Sequence, residues 1–395
     1  MDNKSPSKIE EENNSGMTGG SKSCPPCKRN ILKATNIESL PDELISEILV
    51  RVPVQDLYDS TRLVCRKWYN MINTRNFAYS HVKRLTPGLL VVDRAHCKQA
   101  LLTMQKGRIE ISTRSYGLDY RVEHSCCNGL LLGYPQYTNK RYIVNPVTKQ
   151  RFSLPPFGAN PVTNLHIRPP RRLMVREIFS LAYDASSRSY KVVCTSYTHH
   201  DHGLVCAIMT VGVDTDWKRR VSTQHLSNKA KELFYGFSLT TRGFVHWVEN
   251  GCVEYVVTMN VESEIITEIP GPCLLHDGKI LWKNYLPMEN YLSLFIGRRE
   301  FSCDVWKMKP ETGEWTKMYN IDLVPQKVPK LLLFKTHLLK HMRPSGWSNN
   351  GEVLFFCFCE TFFAYNVRTL EIDSCELRLS GNLVYDHRNS LVWLD

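Results

Sequence analysis

A short turn motif recurs along the chain from residue 145 onward. In each copy an apolar, strand-like run ends in Asn, Asp or Lys, and Ser or Thr follows three residues later. Such side chains can hydrogen-bond to nearby backbone groups and hold a tight reversal between two strands. The motif therefore predicts repeated antiparallel strand pairs. Its copies are Asn145–Thr148, Asp184–Ser187, Asn260–Ser263, Lys309–Thr312 and Asn366–Thr369, with a degenerate copy at Asp214–Trp217.

The spacing of these turns predicts an architecture. Successive copies begin 39, 30, 46, 49 and 57 residues apart, which scatters around the roughly 40 to 50 residues of a propeller blade. The runs between them have a period of two, so that Tyr255, Val257 and Met259 are expected to face one way and Val256 and Thr258 the other. We expect an all-β, β-propeller-like domain over residues 86–395.

The first 85 residues have a different character. Residues 1–36 contain almost no large apolar groups, so we expect a disordered tail, because ordering it would cost backbone entropy without burial in return. Residues 37–85 show a helical apolar period and predict three short helices. Helices this few bury little surface alone, so we expect a partner to cover the remaining apolar stripe. The first stripe is Leu44, Ile45, Ile48 and Leu49, and the third is Leu63, Val64, Trp68 and Ile72.

The helical region also carries a set of short motifs. Leu40-Pro-Asp-Glu-Leu44 is followed one helical turn later by an Ile-Leu pair, then by a Val52-Pro-Val54 break and by Val64-Cys-Arg-Lys-Trp68. Together they resemble an F-box, the module that docks the receptor subunit of an SCF-type (Skp–cullin–F-box) ubiquitin ligase onto its Skp adaptor. The resemblance implies a three-helix F-box over residues 37–85. Its expected partners are a Skp-type adaptor and, through it, cullin and RING subunits.

The resemblance and the stripes indicate an adaptor-binding set. Resemblance to the family places Leu40 and Pro41 at the adaptor surface, and a Trp anchored in a partner's pocket often dominates such interfaces. For Leu44, Ile48 and Val64, core filling and partner contact remain equally open, because helical stripes usually pack internally. The predicted set is Leu40, Pro41, Leu44, Ile45, Ile48, Leu49, Val64 and Trp68.

The strand-rich region carries a resemblance of its own. It rests on Cys127-Asn-Gly-Leu-Leu-Leu132, Tyr142–Gln150, Leu181-Ala-Tyr-Asp184 and Gly243-Phe-Val-His-Trp247. These segments are similar to the F-box-associated, kelch-like region of plant F-box proteins, although the double glycine of a kelch repeat does not occur in this region. The resemblance implies a domain that captures a target protein.

The positive charge is unevenly distributed. Of a formal net charge of +11, the segment from Lys140 to Arg176 contributes eight basic residues and no acidic one. Its Pro-rich centre predicts a loop between blades. This loop is either a solvated segment, screened within roughly 8 Å at physiological salt, or a docking strip for an acidic surface, for which arginine forks are suited. The candidate substrate-binding residues are Arg168, Arg171, Arg172 and Arg176.

Histidine and cysteine patterns predict no metal and no cofactor. Cys24 and Cys27 have ligand spacing, but no second pair lies nearby in sequence. His199–His202 falls in a predicted loop, and the pair His337 and His341 lacks the Glu of a zinc-protease helix. Phosphate-binding loops, nucleophile elbows and paired-carboxylate motifs do not occur. We therefore expect a non-catalytic protein.

The combined prediction is an α+β multidomain protein that serves as the substrate receptor of an SCF-type ubiquitin ligase and recruits a target protein for ubiquitination and proteasomal degradation. The alternative is a nucleic-acid- or glycan-binding propeller. Nucleic-acid binding ranks low because the basic segment lacks interleaved aromatic residues. Since no apolar run approaches the roughly 20 residues of a membrane helix and no secretory signal is evident, we expect no membrane association and a location in the nucleus and/or cytoplasm, with the 14 cysteines reduced.

Overall fold

The computed structural model describes most of the chain in thirteen stretches. The residues up to Ile45 and those from Ser46 onward form two separate units. The predicted tail, residues 1–36, lies outside the described residues. Those residues are 40–93, 99–113, 120–135, 140–157, 175–198, 203–219, 221–249, 254–273, 280–299, 302–323, 343–358, 360–377 and 383–392.

Helices occupy the described residues before the first strand. They are α1 (Asp42–Leu49), α2 (Val54–Asp59), a 3-10 turn (Thr61–Leu63), α3 (Arg66–Ile72) and α4 (Arg75–Arg84). Pro41 directly precedes α1, and its carbonyl accepts hydrogen bonds from the amides of Leu44 and Ile45 at 3.1 Å. Pro53 caps α2 in an extended conformation, with φ −53° and ψ 140°. Proline suits both places because the first turn of a helix has no internal partner for its amides.

Helix α4 is an addition to the three helices expected from the sequence. It begins after Thr74, whose Oγ1 accepts a hydrogen bond from the amide of Phe77 at 3.2 Å, the usual role of an N-cap. One face of α4 is buried at helical spacing. The buried residues are Phe77, Ala78, His81 and Val82.

The described strands form six antiparallel four-stranded sheets. We number the sheets as blades 1 to 6. Blade 1 contains β1 (Gly88–Val92), β2 (Gln99–Gln105), β3 (Arg108–Thr113) and β24 (Leu383–His387); blade 2 contains β4 (Tyr120–Cys127), β5 (Leu130–Pro135), β6 (Tyr142–Val144) and β7 (Arg151–Ser153); blade 3 contains β8 (Val175–Asp184), β9 (Ser189–Thr198), β10 (Gly203–Thr210) and β11 (Lys218–Arg219); blade 4 contains β12 (Phe237–Thr241), β13 (Phe244–Val248), β14 (Tyr255–Asn260) and β15 (Ile265–Pro270); blade 5 contains β16 (Trp282–Met288), β17 (Tyr291–Arg299), β18 (Ser302–Lys309) and β19 (Glu314–Asp322); blade 6 contains β20 (Arg343–Ser348), β21 (Val353–Phe358), β22 (Thr361–Asn366) and β23 (Ile372–Glu376). A fifth helix, α5 (Asn228–Glu232), lies between blades 3 and 4.

The six blades close into a ring. The inner strands contact one another in the cyclic order β24, β4, β8, β12, β16, β20 and back to β24. Strand β24, near the C-terminus, pairs antiparallel with β1. Blade 1 is therefore assembled from both ends of the domain, which removes the open edge that an unclosed sheet array would leave. The prediction of a β-propeller-like domain after N-terminal helices is confirmed, and the number of blades is six.

The predicted turn chemistry is present in the structure. Asn145 Oδ1 accepts the amides of Val147 and Thr148 at 2.9 and 3.3 Å, and the Asn260, Asn366 and Asp184 side chains make the same pair of bonds. The residue four positions after the motif's first residue has a positive φ in every full copy. These residues are Lys149, Arg188, Glu264, Gly313 and Leu370.

One copy of the motif occupies a different position from the others. Four copies join the third strand of a blade to the fourth, whereas Asp184 joins the first strand of blade 3 to the second. This explains the irregular intervals around Asp184, because that turn does not mark a new blade. In an antiparallel sheet, first-to-second and third-to-fourth turns lie at the same end. All five copies therefore lie on one face of the propeller, which we call the turn face.

The core consists of central strands that are covered on both sides. Strand β14 was expected to have unlike faces, but Val256, Val257, Thr258 and Met259 are all buried. Neighbouring blades pack on both faces of a central strand, so both sets of side chains leave water. The outer strand β15 instead buries only Ile266 and Ile269 and exposes its other residues.

Candidate functional site

Several large apolar side chains on the N-terminal helices and in the turn between them are exposed to solvent. Leu44 and Ile48, one turn apart on α1, are 51% and 45% exposed, and Leu63 and Val64, between α2 and α3, are 66% and 63% exposed. These exposed residues lie close together in sequence. Helix α1 is amphipathic, because Ile45 and Leu49 on the same helix are each only 1% exposed. Clustered exposed apolar residues mark sites of protein interaction more often than isolated ones do.

Helices α2 and α4 are joined to the propeller by specific contacts. The Tyr58 hydroxyl of α2 donates a hydrogen bond to the carbonyl of Thr148 at 3.0 Å. The ring of Tyr79 on α4 lies 5.6 Å from that of Tyr183, and Val82 is part of a core cluster shared with blades 2 and 3. Helices held by both core packing and hydrogen bonds move little relative to their support.

Further contacts tie α4 to Glu47 of α1 and to the segment that follows α1. Arg84 binds the Glu47 carboxylate through one guanidinium nitrogen at 2.9 and 3.2 Å. His81 Nε2 lies 3.1 Å from the Val52 carbonyl, and burial lowers the pKa of His81 despite this hydrogen bond. His81 is therefore a neutral hydrogen-bond donor and part of the packed interior. Helices α2 and α4 therefore lie against the turn face.

A cavity of about 240 Å³ lies where the inner strands reach the turn face. Residues of α4 and of the turns from blades 1 to 5 line it, among them Lys83, Cys127, Arg242, Glu289 and Asp386. The Arg388 guanidinium pairs with Glu289 at 2.9 Å, and the buried Oδ1 of Asp386 has no hydrogen-bond partner among the described residues. Burial raises the pKa of Asp386 to about 7, an effect that the positive charge of Arg388 partly offsets.

A thiol and an imidazole meet beside this cavity. Cys126 Sγ lies 3.3 Å from Nδ1 of His387, a geometry that an activated cysteine would share. Burial, however, raises the pKa of Cys126 well above its ordinary value and lowers the pKa of His387 to about 4. A nucleophilic thiolate needs the opposite shifts, so at neutral pH this pair is a thiol beside a neutral imidazole. The contact serves to pack β24 against β4.

Comparison with known protein families agrees with this architecture. Residues 93–382 match the F-box associated beta propeller domain, and residues 37–79 match the F-box domain. The chain belongs to the family of F-box proteins with an associated β-propeller domain. The prediction of a plant F-box protein is confirmed in the same way, since its relatives come from Arabidopsis thaliana.

The relatives of this F-box protein span most of its length. It is similar to an F-box protein of Arabidopsis thaliana, with 25% identity over 301 residues that cover 72% of this chain and 79% of the relative. It is also similar to an F-box/kelch-repeat protein of the same plant, with 23% identity over 354 residues that cover 83% and 88%. Among solved structures, it is similar to the periplasmic gluconolactonase PpgL of Pseudomonas aeruginosa, with a TM-score of 0.38 and 9% identity over 76% of this chain and 99% of that one.

The structure distributes the predicted adaptor-binding residues over different environments. Pro41, Leu44, Ile48 and Val64 are exposed, and Leu40 and Trp68 are half-buried. Ile45 and Leu49, which the sequence groups with the others, are interior side chains, so an adaptor could reach them only after a rearrangement. Contact with the adaptor stays a prediction for the whole set. Leu63 was not among the predicted adaptor-binding residues, although it is adjacent to Val64 and similarly exposed.

The predicted basic docking strip falls mainly outside the described residues. This applies to Arg168, Arg171 and Arg172, whereas Arg176 lies in β8, where its backbone pairs with Tyr197. One cation of the same segment has an internal role. Arg141 lies over the ring of Phe179 at 3.8 Å and pairs with Glu177 at 3.5 Å.

The predicted absence of a metal site concerns residues inside and outside the described ranges. Cys24, Cys27, His199–His202, His337 and His341 lie outside the described residues. Within the part that the structure describes, no three His, Cys, Asp or Glu side chains are grouped as metal ligands. None of the described helices combines the length and apolar character needed to cross a bilayer.

Proposed function

We propose that this F-box protein is the substrate-recognition subunit of an SCF-type ubiquitin ligase, in which the F-box binds a Skp-type adaptor. The observation that carries the proposal is the exposed apolar set Leu44, Ile48, Leu63 and Val64 within a matched F-box domain. Leucine and isoleucine side chains that are exposed on short helices are unfavourable in water. A partner that covers them contributes about 25 cal/mol of stabilising free energy per Å² of buried apolar area. The adaptor in turn would connect the chain to cullin and RING subunits.

The proposed mechanism is proximity. The propeller would hold a target protein while the helices hold the adaptor, which raises the effective concentration of target lysines near the conjugating enzyme. The contacts of Tyr58, Tyr79 and Val82 with the propeller support this, because a firm connection fixes the distance between the two binding surfaces. Ubiquitination and proteasomal degradation of the target would follow.

We further propose that this chain itself makes and breaks no bond. The pKa shifts of Cys126 and His387 support that proposal for the thiol and imidazole nearest to each other in the cavity. Among the described cysteines, Cys206, Cys303 and Cys375 are free thiols, which is compatible with the proposed nuclear and/or cytoplasmic location.

A quantitative pull-down with a purified Skp-type adaptor tests the proposal. Leu63→Ala and Val64→Ala remove exposed apolar surface, and each is expected to reduce adaptor recovery about tenfold if its contact is worth 1 to 2 kcal/mol. Ile265→Ala is the matched control, because Ile265 is 57% exposed on the outer strand of blade 4. Equal recovery by wild type and both F-box variants would show that this surface does not bind the adaptor.

A further inference from the structure

The cavity of about 240 Å³ at the turn face, which we call the axial cavity, is small and has fixed walls. Its walls are the ends of inner strands, the turns that follow them and one side of α4. The turn at Gly129 packs so closely on the Arg388 carbonyl that a Cβ at Gly129 would overlap it. Pockets for drug-sized ligands measure roughly 300 to 1,000 Å³, so the axial cavity suits a smaller molecule. Binding to preorganised walls costs little free energy for ordering the protein.

One hydrogen-bond acceptor in the axial cavity lacks a donor. The buried Oδ1 of Asp386 has no hydrogen-bond partner among the described residues. The charge of Arg388 acts on Asp386, but the Arg388 guanidinium is bound to Glu289 at 2.9 Å. The hydroxyl of Thr240, also in the wall, donates to the Cys126 carbonyl at 3.4 Å. An unmatched buried acceptor is costly, so a ligand that brings a donor to Asp386 would be stabilised.

The rim of the axial cavity is positively charged. Lys83 of α4 and Arg242, in the turn between β12 and β13, line the cavity, and both are exposed. Lys83 Nζ lies 4.4 Å from the centre of the Tyr79 ring, and the Arg242 amide donates to the Glu289 carbonyl at 3.3 Å. Within the described ranges, neither the Lys83 nor the Arg242 side chain pairs with a carboxylate. An anionic group at the rim would therefore meet two available cations.

The interior and the rim together favour a molecule that carries both charges. A wholly anionic molecule would bring like charge to the Asp386 carboxylate, and a wholly cationic one would meet Lys83 and Arg242 at the rim. A molecule with an amine and a carboxylate matches both parts of the cavity. The attraction between unlike charges is stronger in a partly enclosed site than in bulk water, and a guanidinium fork suits carboxylate geometry.

We propose that the axial cavity binds a free amino acid, whose ammonium group donates to Asp386 and whose carboxylate lies at Lys83 and Arg242. Charge-assisted hydrogen bonds of this kind are shorter and stronger than neutral ones. The residues that bind the amino acid are not among the exposed apolar residues of the F-box. Small-molecule binding is therefore an additional property of the chain and does not depend on adaptor docking.

Calorimetric titration of the purified full-length chain with each of the common amino acids tests this inference. At about pH 8 the Asp386 carboxyl is mainly ionised, because its pKa is about 7. We expect at least one amino acid to form a one-to-one complex. The amine and the carboxylic acid that each lack one of its two charged groups should bind at least about tenfold more weakly.

Substitutions assign the binding to the axial cavity. Asp386→Asn removes the interior charge, and Lys83→Gln combined with Arg242→Gln removes the rim charges. Each of these two variants should raise the Kd at least about tenfold. Both are expected to fold, because the first relieves a buried charge and the second alters exposed side chains; circular dichroism checks this. Arg108→Gln, at an exposed arginine of blade 1, is the matched control and should leave the Kd unchanged.

Three results would overturn the inference: no amino acid binds, the singly charged counterparts bind as tightly as the amino acid, or either cavity variant keeps the wild-type Kd. The titration uses the chain alone, so its outcome is decisive for the axial cavity whether or not the adaptor binds.

Discussion

Asn145 Nδ2 donates a hydrogen bond to the carbonyl of Val392 at 2.8 Å, and a second one to the carbonyl of Ser390 at 3.0 Å. The same side chain holds the turn of blade 2 through its Oδ1. One fully buried amide thus joins a repeated turn to the segment that follows the closing strand β24. The link connects the local turn chemistry to closure of the ring.

Asn145→Asp separates these two roles. The aspartate keeps an oxygen for the turn amides but places a second acceptor against the carbonyls of Ser390 and Val392. We expect the free energy of unfolding to fall by about 3 kcal/mol, the usual cost of an unmatched buried charge or polar group. Asn366→Asp, which alters the same motif in blade 6, should change it by less than about 0.5 kcal/mol. Urea unfolding of both variants measures the difference, and equal values would contradict a closing role for Asn145.

Gly129→Ala tests how tightly the C-terminal segment closes on blade 2. Gly129 has a φ of +85°, and a Cβ there would overlap the Arg388 carbonyl and the Ser390 side chain. Gly107 has a similar φ of +75°, but its nearest neighbour would be Glu371 Oε2 at 3.5 Å. We expect Gly107→Ala to cost about 1 kcal/mol for backbone conformation alone and Gly129→Ala to cost several times more. Comparable melting temperatures for the two variants would refute the tight contact.

Asp386 predicts a pH dependence of stability. Its folded pKa of about 7 lies above the value of 3.8 for a free aspartate, so protonation favours the folded state. The contribution is fully present below about pH 4 and is lost as the pH rises through 7. His387 acts in the opposite direction, because its folded pKa of about 4 means that lowering the pH below about 6.5 favours the unfolded state.

Comparing wild type with Asp386→Asn isolates the carboxyl from His387, which both proteins retain. We expect the variant to be more stable than wild type by about 2 kcal/mol at pH 8.5, and the difference to shrink or reverse at pH 5. Thermal unfolding across this range is the measurement. A difference that does not change with pH would mean that Asp386 stays ionised in the folded protein.

Tyr58→Phe tests the connection between the helices and the propeller. The variant loses the hydrogen bond to Thr148 but keeps the ring on which the Arg62 guanidinium lies at 3.8 Å. We expect amides of α2 to exchange with deuterium about fivefold faster, because one such bond is worth about 1 kcal/mol, while strands of blade 5 stay unchanged. Tyr291→Phe in blade 5 is the matched control. Unaltered exchange in α2 would show that the bond to Thr148 does not restrain the helix.

Part of this structure can be predicted from local chemistry. The Asn-x-x-Thr spacing predicts turns correctly because the bonds involved reach only two or three residues along the chain. The placement of the Asp184 turn within blade 3 could not be predicted, because the same local bonds form between any two adjacent strands. Burial on both faces of β14 also escapes sequence patterns, since Thr258 becomes an interior residue only when it meets His246, whose Nδ1 lies 2.9 Å from its hydroxyl.

The candidate functional surfaces likewise combine features that the sequence predicts with features that depend on tertiary packing. A helical stripe indicates that Leu44, Ile45, Ile48 and Leu49 are apolar in a regular pattern, but only tertiary packing separates the exposed pair from the buried pair. The cleft of about 480 Å³ between α4 and blade 3 brings together residues more than one hundred positions apart, such as Ala78 and Val211. Contacts over that distance leave no periodic signal in a single sequence.

The most direct test of the proposed function is a calorimetric titration of the full-length chain with a purified Skp-type adaptor. We predict a one-to-one complex. Leu44→Ala and Ile48→Ala should each raise the Kd about tenfold, whereas Ile265→Ala should leave the Kd unchanged. A wild-type chain that forms no complex, or a Kd that is the same for wild type and for both α1 variants, would contradict the account.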